Sequence, residues 1–133
     1  MNIRKVLEKE PIDISLVTEM ADMYSWGNGI NGQLGLPTQR AFKTFMTPQM
    51  VVRHQSVRAI ACGGNHSACL LDGGDVFTWG ESEFGALGHG VMVDQAGQPR
   101  RIDSFPKHET VVAIACGYFH TLAATKVGES YAW

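Results

Sequence analysis

The chain lacks any apolar run near the ~18–20 residues that cross a bilayer as a helix, which excludes a helical membrane span. It lacks an excess of either charge. Lys and Arg number 11 against 13 Asp and Glu, a formal net charge of -2. Binding to DNA or RNA by phosphate neutralisation therefore has no electrostatic footing. The opening residues, MNIRKVLEKEPIDIS, carry acids where a secretory signal needs an apolar core. The expected location is the cytoplasm or the nucleus, with no membrane partner. Cysteine is scarce and odd in number: Cys62, Cys69 and Cys116. Buried reduced thiols are expected, not a disulfide framework. At 44% hydrophobic the composition is globular, and 133 residues allow one domain. Glycine is the residue in excess, 15 in all, and its placement carries the reading.

The sequence repeats. Trp26, Trp79 and Trp133 are 53 and 54 residues apart. MYSWGNGINGQLGL at 23–36 matches VFTWGESEFGALGHG at 76–90, and SYAW at 130–133 opens a third copy. A second block recurs at an offset of 54, AIACGGNHSACLL at 59–71 against AIACGYFHTLAAT at 113–125. Two blocks sharing one spacing near 50 point to a propeller or solenoid, not to a doubly wound or helical domain.

The local pattern is that of strands. In VFTW, Phe77 and Trp79 point one way and Val76 and Thr78 the other. Tyr24 with Trp26, and Tyr131 with Trp133, repeat this arrangement. Stacked sheets need two unlike faces, because bulky side chains of one sheet fill the space above the smaller face of the next. Each ring removes ~150–250 Å² from water, an upper limit of about 4–6 kcal/mol. Asp72-Gly73-Gly74 reads as a hairpin turn, and Gly63-Gly64-Asn65 as another. Four strands per unit follow: about 48–53, 57–62, 66–71 and 75–80, then 98–103, 111–116, 120–125 and 130–133. Pro48 and Pro99 suit a first, edge strand. The expected fold is all-β: a partial β-propeller of two four-stranded antiparallel blades, with 23–26 as a leading strand. Two blades cannot close a ring of four to eight. The expectation is a fragment, a truncated product or a piece of an assembly, able to self-associate through open blade faces.

One residue set defines the repeat: Trp26, Gly27, Gly32, Leu34 and Gly35, then Trp79, Gly80, Gly85, Leu87 and Gly88. Gly63 and His66 recur as Gly117 and His120, and Trp133 starts the next copy. With Trp-Gly-x4-Gly-x-Leu-Gly in this order and period, residues 23–133 resemble the regulator of chromosome condensation repeat family. The resemblance implies a seven-bladed propeller, of which about two blades are present. It also implies a range of roles: nucleotide exchange on a Ran-type small GTPase, chromatin docking, or scaffolding within larger proteins. No long insertion matches the projecting wing of the founding exchange factor. The family's plant ultraviolet sensors carry Gly-Trp-Arg-His-Thr where this chain has Gly117-Tyr118-Phe119-His120-Thr121, so light sensing is not expected. The kelch propeller shares the period, but not the Trp-Gly placement.

Other motifs carry less. Gly27-Asn28-Gly29-Ile30-Asn31-Gly32 matches G-x-G-x-x-G, yet Gly35 and Pro37 follow instead of a helix that would meet a pyrophosphate. No cofactor is expected. Cys62, His66 and Cys69 have ligand chemistry, but the second copy replaces the third residue with Ala123. No metal is expected; His66 and His120 are read as hydrogen-bonding turn backbone, and the cysteines as small core residues. No G-x-S-x-G occurs, and Asp72 and Asp75 bracket a turn. No catalytic residue is expected. Arg40 and Lys43, and Arg100 and Arg101 beside Lys107 and His108, are the candidate contacts with an acidic partner. Loops 36–47 and 89–97 are the candidate contact segments. Residues 1–22 form an N-terminal extension with 3 basic and 5 acidic residues. Ile12, Ile14 and Leu16 alternate as in a strand, while Val6 and Leu7 before Pro11 suit a short helix; both readings stand. The expected function is non-catalytic protein binding, with exchange on a Ran-type GTPase as the alternative.

Overall fold

A computed structural model describes residues 21–90 and 95–133. The expected extension lies outside the described residues over 1–20, and loop 89–97 does so over 91–94. The described chain is strand and turn apart from one short 3-10 turn at Glu83–Gly85. Nine strands run in order: β1 (Ala21–Gly27), β2 (Phe45–Gln55), β3 (Val57–Cys62), β4 (His66–Leu71), β5 (Val76–Glu81), β6 (Gln95–Arg101), β7 (Val111–Cys116), β8 (Thr121–Thr125) and β9 (Ser130–Ala132).

They form three antiparallel sheets, ordered β1-β2, β3-β4-β5-β6 and β7-β8-β9. The all-β partial propeller stands, but its strands are grouped differently from the expectation. The strand around 48–53 does not open the sheet of 57–80; it pairs with β1, matching Gly27 to Phe45. The strand around 98–103 likewise closes the preceding sheet, matching Phe77 to Arg101. One four-stranded blade is therefore flanked by a two-stranded and a three-stranded sheet. The cause is chain geometry. Only Ser56 separates β2 from β3, too short a link for the two-residue hairpin that antiparallel neighbours need. The chain instead passes from one sheet to the next, and Ser56 O accepts a hydrogen bond from Asp72 N at 2.9 Å.

Alternation sorts the side chains into two seams. Cys69, Trp79 and Phe77 pack with Met23, Val51 and Val52 between the first and second sheets. Leu70, Val76 and Ile102 pack with Val111 and Ala123 between the second and third. Adjacent residues Cys69 and Leu70 thus enter opposite seams, as the period of two requires. The central blade is covered on both faces, which is why β4 is buried along nearly its whole length. Trp79 is 3% exposed, wedged as expected. Trp26 and Tyr24 are not: they lie on the outer face of the first sheet and are 59% and 46% exposed. The expectation of a wedged ring at each repeat fails there, because no described sheet covers that side.

Candidate interaction surface

Two glycine positions explain how the loops are held. Gly35 and Gly88 adopt φ of 70° and 69°, a left-handed backbone that suits glycine. The indole of the following unit lies directly above each. A Cβ on Gly35 would stand 2.7 Å from Trp79 Nε1, and one on Gly88 2.6 Å from Trp133 Nε1. Trp79 Nε1 also donates to Gln33 O at 2.9 Å, and Ser67 Oγ donates to the same carbonyl at 2.8 Å. The buried Leu34 and Leu87 anchor these loops from below, and their carbonyls accept from Ser25 Oγ and Thr78 Oγ1, each at 2.6 Å. Gly27 and Gly80 leave their strands at φ of 101° and 107°, and Gly32 and Gly85 turn at 78° and 83°. Gly32 N to Gly29 O and Gly35 N to Gly32 O close two consecutive turns where a dinucleotide site would need a helix.

The histidines sit differently from the expectation. His66 is buried and bonds a side chain, Thr121 Oγ1 of the next sheet, at 2.9 Å. Thr121 Oγ1 donates to Ala86 O at 2.8 Å, so it accepts from His66 Nε2–H. Burial, then the neighbouring His120, hold the His66 pKa below its ordinary value. His120 is exposed. Gly63 and Gly117 lie flat against these rings: a Cβ at either would collide with the imidazole three residues on. The cysteines divide as well. Cys69 is buried, whereas Cys62 is exposed and Cys116 half-buried, so only one of the three is a core residue. Burial pushes the Cys69 and Cys116 thiols up to about 11. Among the described residues, no group of three His, Cys, Asp or Glu is placed to hold a metal ion.

The basic candidates do not converge. Arg40 and Lys43 lie in the loop before β2, at the end of the sheets where Gly27 meets Phe45. Arg101 lies at the other end, where β6 meets Phe77. The Arg40 guanidinium stacks on the Phe45 ring at 4.6 Å and bonds Gln49. Arg101 is tied to Asp75 at 2.9 Å and to Asp103 at 3.1 Å. Arg100 precedes it in β6, opposite Thr78.

The two ends of the stack differ in chemistry. The end carrying Arg101 is rich in charge, with Asp72, Asp75, Asp103, Lys107, Glu109, Lys126 and Glu129 in its turns. The opposite end has fewer charges, among them Arg40, Lys43, Glu81 and Glu83, and more apolar side chains: Ile30, Phe42, Phe84, Tyr118 and Phe119 are all exposed there. Three of these rings touch. Phe84 and Phe119 meet edge to face at 5.4 Å, and Phe119 meets Tyr118 at 4.6 Å. Their loops are bonded through the turn at 63–65: Gly64 N donates across the seam to Tyr118 O at 3.1 Å, while within the central sheet Glu81 N donates to Asn65 O at 2.9 Å and Asn65 Nδ2 to Glu81 Oε2 at 2.8 Å. Phe84 stands at φ 60°, the one described non-glycine residue with a positive φ. Sequence reasoning did not select this cluster. Its signal was a departure from the repeat: Phe84 replaces Asn31, and Tyr118 and Phe119 replace Gly64 and Asn65.

Comparison with known proteins agrees with this architecture. The regulator of chromosome condensation (RCC1) repeat matches residues 22–70 and 73–124. The chain is 42% identical over 113 residues to the RCC1 domain-containing protein RUG3, mitochondrial, of Arabidopsis thaliana, covering 84% of this chain and 24% of that protein. It is 35% identical over 115 residues to the human E3 ubiquitin-protein ligase HERC2, covering 84% of this chain and 2% of that one. Among solved structures, Prp20p from Saccharomyces cerevisiae superposes with a TM-score of 0.73 at 26% identity, over 86% of this chain and 28% of its own. The chain thus spans about a quarter or less of each of these relatives. Period, paired Trp–Gly loops, stacked antiparallel sheets and these matches together establish that the chain belongs to the regulator of chromosome condensation (RCC1) repeat family.

Proposed function

We propose that the chain is a non-catalytic protein-binding scaffold. One observation carries the reading: exposed aromatic rings stand on two loops, from neighbouring sheets, that are both hydrogen-bonded to the turn at 63–65. Interfaces draw on such rings, which bring large contact area at small entropic cost. The sheets beneath keep the rings in place, and loops over a rigid scaffold are where partner contacts concentrate. Burial pushes the Cys69 and Cys116 thiols up to about 11, which makes these two poor nucleophiles near neutral pH. Residues 1–22 are taken as an appendage to this scaffold and 23–133 as its repeat body.

A second reading is favoured by the solved relative Prp20p, which is described as binding Gsp1p and histones. On that reading the chain regulates or exchanges nucleotide on a Ran-type small GTPase. Exchange needs only a surface that favours the nucleotide-free partner, not covalent chemistry. Release of fluorescent GDP from a Ran-type GTPase separates the two. The scaffold reading predicts no acceleration; an increase with protein concentration would establish exchange. Cross-link mapping of captured partners tests the scaffold itself, and cross-links confined to the charged end would count against it.

The outer faces carry Trp26 on the first sheet and Leu122 on the third, 59% and 42% exposed. They support self-association, which light scattering across a concentration series would reveal; a constant monomer mass would exclude it. Among the described residues no helix is long and apolar enough to cross a membrane. We place the chain in the cytoplasm or nucleus; RUG3 is named as mitochondrial, and recovery of this chain in a mitochondrial fraction would overturn the placement.

A further inference from the structure

We propose that Phe84, Phe119 and Tyr118, with the carboxylates of Glu81 and Glu83, form a docking site for a lysine- or arginine-bearing segment of a protein partner. The inference rests on the scaffold reading and names its surface and the chemistry of its ligand.

The geometry comes first. The three rings form a continuous chain with centroids 5.4 and 4.6 Å apart, both contacts edge to face. Phe84 is 77% exposed and Tyr118 67%. An edge-to-face chain leaves ring faces open, and an open face carries the negative part of the ring quadrupole. A cation resting on it is attracted, and arginine adds planar stacking.

Charge points the same way. The described residues of loops 63–65, 81–90 and 117–120 include two formally charged side chains, Glu81 and Glu83, both negative. Neither Lys nor Arg occurs there. Glu83 is exposed, and Glu81 is steadied by Asn65. Burial holds the His89 pKa below its ordinary value, so His89 adds no positive charge at neutral pH. Arg40 and Lys43 belong to the neighbouring loop before β2, and Arg40 is occupied by Phe45 and Gln49. A single nucleic acid strand also stacks on rings, but it requires a positive groove that this site lacks. A second copy would bring the same carboxylates face to face, and like charges oppose that pairing.

The backbone supplies an independent sign. Phe84 holds φ 60° and ψ 18° where its repeat counterpart is Asn31. Strained conformations of this kind concentrate at binding sites, where the surrounding structure maintains them.

The test uses the full chain and a short fluorescein-labelled peptide of alternating Lys and Arg, read by fluorescence anisotropy. An equal-length Glu–Asp peptide serves as control. The basic peptide is expected to bind and the acidic one not. Phe84→Ala, Tyr118→Ala and Phe119→Ala combined should weaken binding by about tenfold or more. Glu81→Gln with Glu83→Gln keeps the rings and should weaken binding and flatten its salt dependence. Circular dichroism checks that both variants keep their strands, and the Glu pair serves as the arm if the ring variant unfolds. Equal binding of both peptides, no binding, or binding unaffected by either variant would overturn the proposal. So would tighter binding of single-stranded RNA, or self-association abolished by the ring variant, which would assign the surface to those ligands. Partners captured equally by wild type and ring variant would leave the scaffold reading intact and overturn this one; a chain that captures none would defeat the scaffold reading itself.

Discussion

The His66 imidazole spans the seam between two sheets, its Nε2 2.9 Å from Thr121 Oγ1, and Thr121 in turn donates to Ala86 O. Three chain segments meet at one hydroxyl. The same device recurs within the central unit, where Thr78 Oγ1 donates to Leu87 O at 2.6 Å and lies 3.1 Å from His89 Nε2. Each histidine enters as a neutral donor. Replacing His66 by Ala removes the donor and opens buried space, and the expected loss is about 2–4 kcal/mol in urea unfolding.

Acid should weaken the fold through these two rings. Burial lowers the pKa of His66, with His120 adding to it, and burial is the first cause at His89 as well. Unfolded, each titrates near 6.5. The unfolded chain therefore binds more protons below that value. Their contribution to stability is present above pH 6.5 and is lost as pH falls through the lowered folded-state values. The midpoint of thermal unfolding should drop between pH 7.5 and 5.5, and His66→Gln should reduce that drop. A midpoint independent of pH in that range would contradict the assignment.

Two tryptophans in equivalent places should respond unequally to loss of the indole N–H. Trp79 Nε1 donates to Gln33 O at 2.9 Å, whereas Trp133 Nε1 is buried without a hydrogen-bond partner. Trp79→Phe should cost ~1–2 kcal/mol more than Trp133→Phe by chemical denaturation. Equal losses would mean that the Gln33 bond adds nothing.

Glycine substitutions should separate by position. Gly35→Ala meets both a left-handed backbone and Trp79 Nε1 at 2.7 Å, so a loss of about 2 kcal/mol or more is expected. Gly73→Ala meets nothing within 4 Å and should stay within about 0.5 kcal/mol of wild type.

Phe84→Gly should raise stability while removing a contact. Glycine relieves the φ of 60°, a gain of ~1 kcal/mol. Partner binding should fall, because the exposed ring is gone. A variant that loses stability would show that the ring is held for packing and not for contact.

Much of the fold was legible because the repeat encodes it twice. The spacing of Trp26 and Trp79 gave the unit, and 57–62 and 66–71 coincide with β3 and β4. The alternation of Phe77 and Trp79 against Val76 and Thr78 gave the two faces. Sheet membership was harder, because a strand's own pattern does not say which neighbour it joins. The boundary guess ended one strand at 53 and left a link long enough for a hairpin; the strand runs to Gln55 and forbids one. The aromatic cluster was hidden for another reason. Phe84 and Phe119 belong to different sheets, and only the superposed repeats bring them together. Arg40 and Arg101 drew notice by charge alone, yet folding gives each a partner of its own.

The most direct test of a loop-face scaffold is an amide chemical-shift map of the full chain during titration with the lysine–arginine peptide. Shifts concentrated in 63–65, 81–85 and 117–120 are predicted, with the turns around Asp75, Asp103 and Lys126 unmoved. Shifts centred on that charged end, with Phe84 and Tyr118 silent, would contradict the account.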